Sequence, residues 1–187
     1  GEDSLLFYAF GETPTADTKQ FRLQMELAAN PKKRLAVAMN MLRERFPEAD
    51  LDGKNLNELK GMEGKRVKAL YASKAMEYHV GWKGRSFVPE QFCFSDTTNK
   101  ILTACNAALY GITSSVIHAL GYSPHIGFIH SGSPLPFVYD ISDLYKADVS
   151  IDLAFSLTKL LGGEYDRIKV LNSFRQRVID LNLLQKM

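Results

Sequence analysis

At 187 residues, 45% of them apolar and 11% aromatic, the chain has the mass for one well-packed domain and is too hydrophobic to be disordered. No apolar run approaches the roughly 18 residues of a membrane span and no signal-peptide pattern precedes the fold, so no membrane is expected. The net charge of +2 hides a partition: residues 19–46 carry seven bases and two acids, residues 54–85 eight and three, whereas residues 86–163 carry six acids and three bases.

Residues 5–10, an apolar and aromatic run, predict a short strand. A lone strand cannot bury itself, so it reads as the remnant of an N-terminal β domain, with 1–18 as remnant and linker and 19–187 as an α-helical catalytic domain. Gly1 in place of Met fits a processed or truncated chain. Helices are predicted over 19–30, closed by Asn30-Pro31, and over 32–46, with Leu35, Met39, Leu42 and Phe46 on one face. A third, 55–78, places Leu56, Leu59, Val67 and Leu70 on its stripe. Residues 81–94 form an irregular loop rich in aromatic and basic side chains. Ser95 or Asp96 caps a long helix to about residue 120, stopped by Gly121; its small and apolar residues mark it as the central buried helix. An apolar segment at 126–129 and a turn at 131–136 precede helices over 137–147, 150–161 and 165–184. The fold class is mainly α, with many helices and a short N-terminal β remnant.

Glu63 falls within the apolar stripe of the third helix, four residues from both Leu59 and Val67. A buried carboxylate without a partner is costly, so a cation is expected beside it. Gly61 and Gly64 flank it, which would let backbone from elsewhere approach closely. Far along the chain, His130, Asp140 and Asp143 are side chains able to share a metal with Glu63: Asp140 and Asp143 are three apart on one helix, and His130 lies just before the turn that starts it. Oxygen donors with one imidazole and no thiolate favour Mg²⁺ or Mn²⁺, an ion suited to phosphodiester chemistry. If Glu63, His130 and Asp143 crowd together, the metal-free site should carry like-charge repulsion. Each residue also has a plain structural reading, His130 as a satisfied core histidine and the aspartates as helix-surface acids. The only cysteines, Cys93 and Cys105, have no zinc-ligand spacing, and a reducing cytoplasm is the expected location. Phosphate-loop, dinucleotide, zinc-protease and serine-hydrolase motifs are absent.

Several spaced strings stand in register: Gly61-Met-Glu63-Gly-Lys-Arg-Val-Lys-Ala-Leu-Tyr71, Trp82-Lys-Gly-Arg85, Asp96-Thr-Thr-Asn99, Leu109-Tyr-Gly-Ile-Thr113, Gly121-Tyr-Ser-Pro124 and the stretch from Gly127 through His130 and Asp140 to Asp143. Together these closely resemble the CRISPR-associated protein one family, the endonuclease and integrase subunit that inserts captured DNA into CRISPR arrays. The resemblance implies an α-helical catalytic domain in which Glu63, His130 and Asp143 match the metal ligands. Asp140 is a further acid of the same catalytic motif and Lys146 a basic position beside it. It also implies an N-terminal β domain supporting a homodimer of the full-length chain, and a dimeric partner, CRISPR-associated protein two. Phe87 and Phe92 stand where relatives carry a tyrosine and a tryptophan in the loop that reads the DNA end; phenylalanine keeps the stacking face and loses a donor.

The expected function is a Mg²⁺- or Mn²⁺-dependent DNA endonuclease and integrase, in which a 3′-hydroxyl attacks a target phosphodiester. Its DNA partners would be double-stranded DNA with single-stranded ends and CRISPR repeat DNA. Lys65, Arg66, Lys68, Lys83, Arg85 and Lys146 are candidates for phosphate contacts, with Trp82, Phe87 and Phe92 as stacking candidates, unless that loop is merely pinned to the core by its aromatics. The alternative is a catalytically silent DNA-binding or assembly subunit, and a third class is a phosphoesterase acting on small molecules. Metal-dependent cleavage of DNA separates them.

Overall fold

A computed structural model of the chain describes residues 18–86 and 89–187, with the side chains of 89–91 left aside. In chain order it contains α1 (Lys19–Ala29), α2 (Pro31–Arg45), α3 (Leu56–Tyr78), a 3₁₀ turn (Pro89–Phe94), α4 (Thr97–Ala119), α5 (Pro136–Asp143), a π-helical turn (Ala147–Ile151), α6 (Asp152–Leu160), α7 (Arg167–Asp180) and α8 (Leu183–Lys186). The mainly α fold is observed, with no strand among the described residues. The strand expected at 5–10 lies outside them.

Side-chain caps set the starts of four of the eight α-helices described. Asn30 accepts from the amides of Lys32 and Lys33, and Pro31 occupies the first position of α2. Asn55 and Glu58 form a reciprocal capping box on α3. Asp96 accepts from the Asn99 amide and Asp166 from that of Lys169. Two expected boundaries move. The helix expected over 137–147 stops at Asp143, and a π-helical turn then feeds α6 directly. Within that turn the Ser150 hydroxyl bonds both Lys146 O and Asn106 Oδ1, drawing a side-chain donor into the backbone ladder. The helix expected over 165–184 begins at Arg167 and breaks after Asp180, where Asn182 is left-handed at φ 51°.

Helix α4 is central, as its composition predicts, with Ile101, Leu102, Cys105, Leu109 and Ile117 all buried. Its polar residues face their own kind: Thr98 meets Thr158, Asn106 meets Ser150 and Thr113 meets Ser142, at 2.7–3.0 Å. These pairs fall seven or eight residues apart, so they fix the register of α4 against the antiparallel run from α5 to α6 while satisfying their own buried hydroxyls. α4 is long and apolar enough to pass as a membrane span by length and composition; in the fold, that apolarity faces the helices packed around it. A second knot joins α3, α6 and α7: Asp152 accepts from Lys74 at 2.7 Å, Tyr78 at 2.9 Å and Arg177 at 3.1 Å.

Two smaller apolar clusters place the site. Ala38, Leu42, Leu51 and Leu59 of the α2–α3 region take in Ile129, whereas Phe128 packs with Ile117, Phe137 and Val138. The adjacent side chains Phe128 and Ile129 are thus buried on opposite sides, and the segment between α4 and α5 is threaded between two layers. Gln24 of α1, itself buried, anchors the start of that segment through Ser123 O and Ile126 O, and Arg34 of α2 donates to Phe128 O at 2.9 Å.

Candidate metal and DNA site

His130 is delivered by this threaded segment. Gly127 is required there, because a Cβ at that position would lie 2.7 Å from Pro136 Cβ and 2.9 Å from His130 O. Asp140, 1% exposed on α5, then closes the segment onto the helix. Its Oδ2 accepts the amides of Phe128 at 2.5 Å and Ile129 at 3.1 Å; its Oδ1 accepts the His130 amide and His130 Nδ1, both at 2.8 Å. Both oxygens are fully engaged by donors, which leaves Asp140 as the orienting group for His130. Because a carboxylate only accepts, Nδ1 carries the proton, and the neutral ring presents Nε2 as its lone pair. The hydrogen bond to Asp140 raises the His130 pKa above the usual histidine value; burial opposes this, and Asp143 and Glu63 reinforce it.

His130 Nε2 lies 3.6 Å from Asp143 Oδ2. The same oxygen is 3.7 Å from Nη1 of Arg45, the last residue of α2, and that nitrogen is hydrogen-bonded to Glu63 Oε1. Burial pushes the Glu63 carboxyl above the ordinary carboxylate range and Asp143 adds to this, while Arg45 and His130 pull it down. The cation expected beside Glu63 is therefore Arg45. The net repulsion expected among the acids is correspondingly offset, since a guanidinium stands between two of them. Lys146 Nζ lies 2.5 Å from Asp143 Oδ1 and 4.9 Å above the Tyr110 ring. Burial opposes the Lys146 charge, yet Asp143 and Tyr110 outweigh it and hold its pKa above the ordinary lysine value.

Glu63, His130 and Asp143 thus share one neighbourhood although 80 residues separate Glu63 from Asp143 in sequence. Among the described residues no three His, Cys, Asp or Glu side chains close into a metal-binding set, the Arg45 guanidinium lying between Glu63 and Asp143. The donors nonetheless suit a hard divalent ion: two carboxylates, an imidazole of fixed tautomer, and a buried Asp143 Oδ1 that accepts no well-aligned hydrogen bond despite its nearby lysine.

The other candidates are spread around this centre. Lys65, Lys68 and Lys83 are exposed. Arg66 is half-buried, 5.1 Å over the Phe46 ring. Arg85 is tied to α4 through Asn99 Oδ1 at 2.8 Å and Thr103 Oγ1 at 3.0 Å. Trp82 packs against Tyr71 and Phe155, at 5.1 and 5.2 Å between ring centres, so it anchors the loop to the core as the structural reading of that loop allowed. Phe92 meets Tyr165 edge-on at 5.8 Å; Phe87 lies outside the described residues. Gly61 and Gly64 do not admit another segment: a Cβ on either would meet nothing within 4 Å. Sequence reasoning missed Arg45, one of seven bases in its stretch with nothing local to single it out, and the hub role of Asn99. Asn99 gathers Arg85, the Ser86 amide, Gly84 O and Asp96.

Comparison with known proteins identifies the family. Residues 18–161 match the family described as CRISPR associated protein Cas1. The chain is 61% identical over 186 residues to a CRISPR-associated endonuclease Cas1 2 from Chlorobaculum tepidum, covering 100% of this chain and 63% of that protein. It is 40% identical over 167 residues to the CRISPR-associated endonuclease Cas1 of Escherichia coli K12, covering 89% and 55%. A solved structure, "Crystal structure of TtCas1-DNA complex", superposes with a TM-score of 0.82 at 36% identity, over 91% of this chain and 63% of the other. The chain therefore spans little more than half to under two thirds of the length of these relatives, and it belongs to the CRISPR-associated protein Cas1 family.

Proposed function

We propose that residues 19–187 form the catalytic helical unit of a divalent-metal-dependent DNA nuclease and integrase of CRISPR adaptation. The observation that carries this reading is the convergence of Glu63, His130 and Asp143 on one half-buried spot, with His130 oriented by Asp140, in a chain of this family.

Glu63, Asp143 and His130 Nε2 would hold Mg²⁺ or Mn²⁺. When bound, the ion supplies Lewis-acid stabilisation of charge at the phosphoryl group and favours deprotonation of the attacking hydroxyl or water. The protein residues do the rest. Asp140 keeps the imidazole in the tautomer that exposes Nε2. Lys146, held protonated beside Asp143, stands near the anionic phosphate and favours charge built up as the new P–O bond forms and the old P–O bond breaks. In strand transfer the attacking 3′-oxygen loses its proton, and the displaced 3′-oxygen of the target leaves and gains one; with water as nucleophile the same exchange is hydrolysis. The exposed Lys65, Lys68 and Lys83 supply sequence-independent attraction for the DNA backbone. The partners proposed are double-stranded DNA with single-stranded ends, CRISPR repeat DNA, a second copy of the full-length chain and the dimeric CRISPR-associated protein two. Two insertions at fixed spacing need two such centres in one assembly.

The test compares nicking of supercoiled plasmid by this chain in Mn²⁺, Mg²⁺ and chelator, with His130→Ala and Asp143→Ala. Metal-dependent nicking lost in both variants supports the proposal. Cleavage that survives both would put the chemistry outside this site and overturn the proposal, and DNA binding with no cleavage under any metal favours the silent DNA-binding subunit.

A further inference from the structure

The guanidinium of Arg45 is placed where a cation shared by Glu63 and Asp143 belongs. One nitrogen, Nη1, is hydrogen-bonded to Glu63 Oε1 and lies 3.7 Å from Asp143 Oδ2, the oxygen that also faces His130 Nε2 at 3.6 Å. The Arg45 side chain is only 7% exposed, and the two carboxylates 11% each, so water screens this cluster poorly. The Arg45 guanidinium carbon also lies 5.0 Å from the centre of the Phe46 ring. A guanidinium is a fork of donors fixed in charge, well able to satisfy two acids but unable to polarise a phosphoryl oxygen as a metal does.

We propose that Arg45 is a tethered counter-cation that competes directly with the divalent ion for Glu63 and Asp143. It keeps the two acids together without metal, and metal entry requires the guanidinium to give up Glu63. The inference rests on the metal reading above. It adds a residue outside the ligand set that lowers metal affinity while stabilising the fold, an opposition that neither a ligand nor a purely structural arginine would show.

The experiment is Mn²⁺ titration of this chain by calorimetry, alongside thermal melts with and without Mn²⁺, for the wild type, Arg45→Met, Arg45→Lys, Glu63→Gln and Asp143→Asn. Arg45→Met keeps an unbranched apolar stem and removes the charge. It should melt lower without metal, bind Mn²⁺ about tenfold more tightly and show a larger metal-induced rise in melting temperature. Arg45→Lys, which restores one charge, should move Mn²⁺ affinity back towards the wild type. Unchanged or weaker Mn²⁺ binding by Arg45→Met would overturn the proposal and leave Arg45 as a structural ion pair. If Arg45→Met does not fold, the wild type still decides. With ¹⁵N-labelled arginine, the Arg45 Nε–H resonance should shift saturably on Mg²⁺ addition, and a resonance unmoved at saturating Mg²⁺ would overturn the proposal. Wild-type Mn²⁺ binding that persists in both Glu63→Gln and Asp143→Asn would instead sink the metal assignment itself, and this inference with it.

Discussion

Replacing Asp140 by Asn is the most demanding test of how the site is built. Its two oxygens take four donors, the amides of Phe128, Ile129 and His130 and the His130 Nδ1–H, in a spot 1% exposed. In the amide, one oxygen becomes an NH₂ group facing two N–H donors, whichever way it is flipped. Two buried N–H groups then lose their acceptor, at about 1–3 kcal/mol each, and the surviving bonds lose charge assistance; a loss of about 3–5 kcal/mol follows. For a chain of this size that corresponds to roughly 8–15 °C in melting temperature. His130 loses its orienting acceptor or its segment loses its tether, so Mn²⁺ affinity should fall by about 10- to 100-fold. Urea unfolding gives the stability and calorimetry the affinity. A stability loss below about 1 kcal/mol with unchanged Mn²⁺ binding would refute the claim that this carboxylate holds the segment and the ring.

Three further outcomes follow from the same geometry. Gly127→Ala forces a Cβ to within 2.9 Å of backbone at Pro136 and His130; it should cost about 1–3 kcal/mol in urea unfolding and weaken Mn²⁺ binding by displacing His130. Gly64→Ala, on a helix position where a Cβ meets nothing within 4 Å, should raise stability by about 0.5–1 kcal/mol and leave the Mn²⁺ affinity unchanged; a lower melting temperature would reveal a contact at that face. The pKa of His130 is raised in the folded state, so its stabilisation is complete below the unfolded value of about 6.5 and is lost as pH rises through the folded value. With His130 as the proposed ligand, metal would displace that proton, so Mn²⁺ affinity should tighten about tenfold per pH unit up to the folded pKa and level off above it, measured by calorimetry across pH in the wild type. A flat affinity over that window would remove His130 from the ligand set.

What the sequence determined by itself is whatever depends on neighbours a few residues away. The starts of α2, α3, α4 and α7 follow from Asn30, Asn55, Asp96 and Asp166 acting on amides two or three positions on, and the central place of α4 from its apolar circumference. Glu63 stood out because a carboxylate interrupted an apolar stripe, and that anomaly correctly called for a cation. Which cation was a tertiary matter: Arg45 is 18 residues away, and only the packing of α2 against α3 chooses it from the neighbouring bases. Asp140 and Asp143 look equivalent on one short helix, yet one is spent on the backbone of 128–130 and the other faces Arg45, His130 and Lys146. Trp82 in a basic, aromatic loop suits DNA and core equally well in sequence, and only the folded chain shows it packed against the Tyr71 and Phe155 rings. Helical periodicity repeats within a turn or two and can be read along the chain. Partner choice across tens of residues is settled by which surfaces exclude water together, and that exists only in the folded protein.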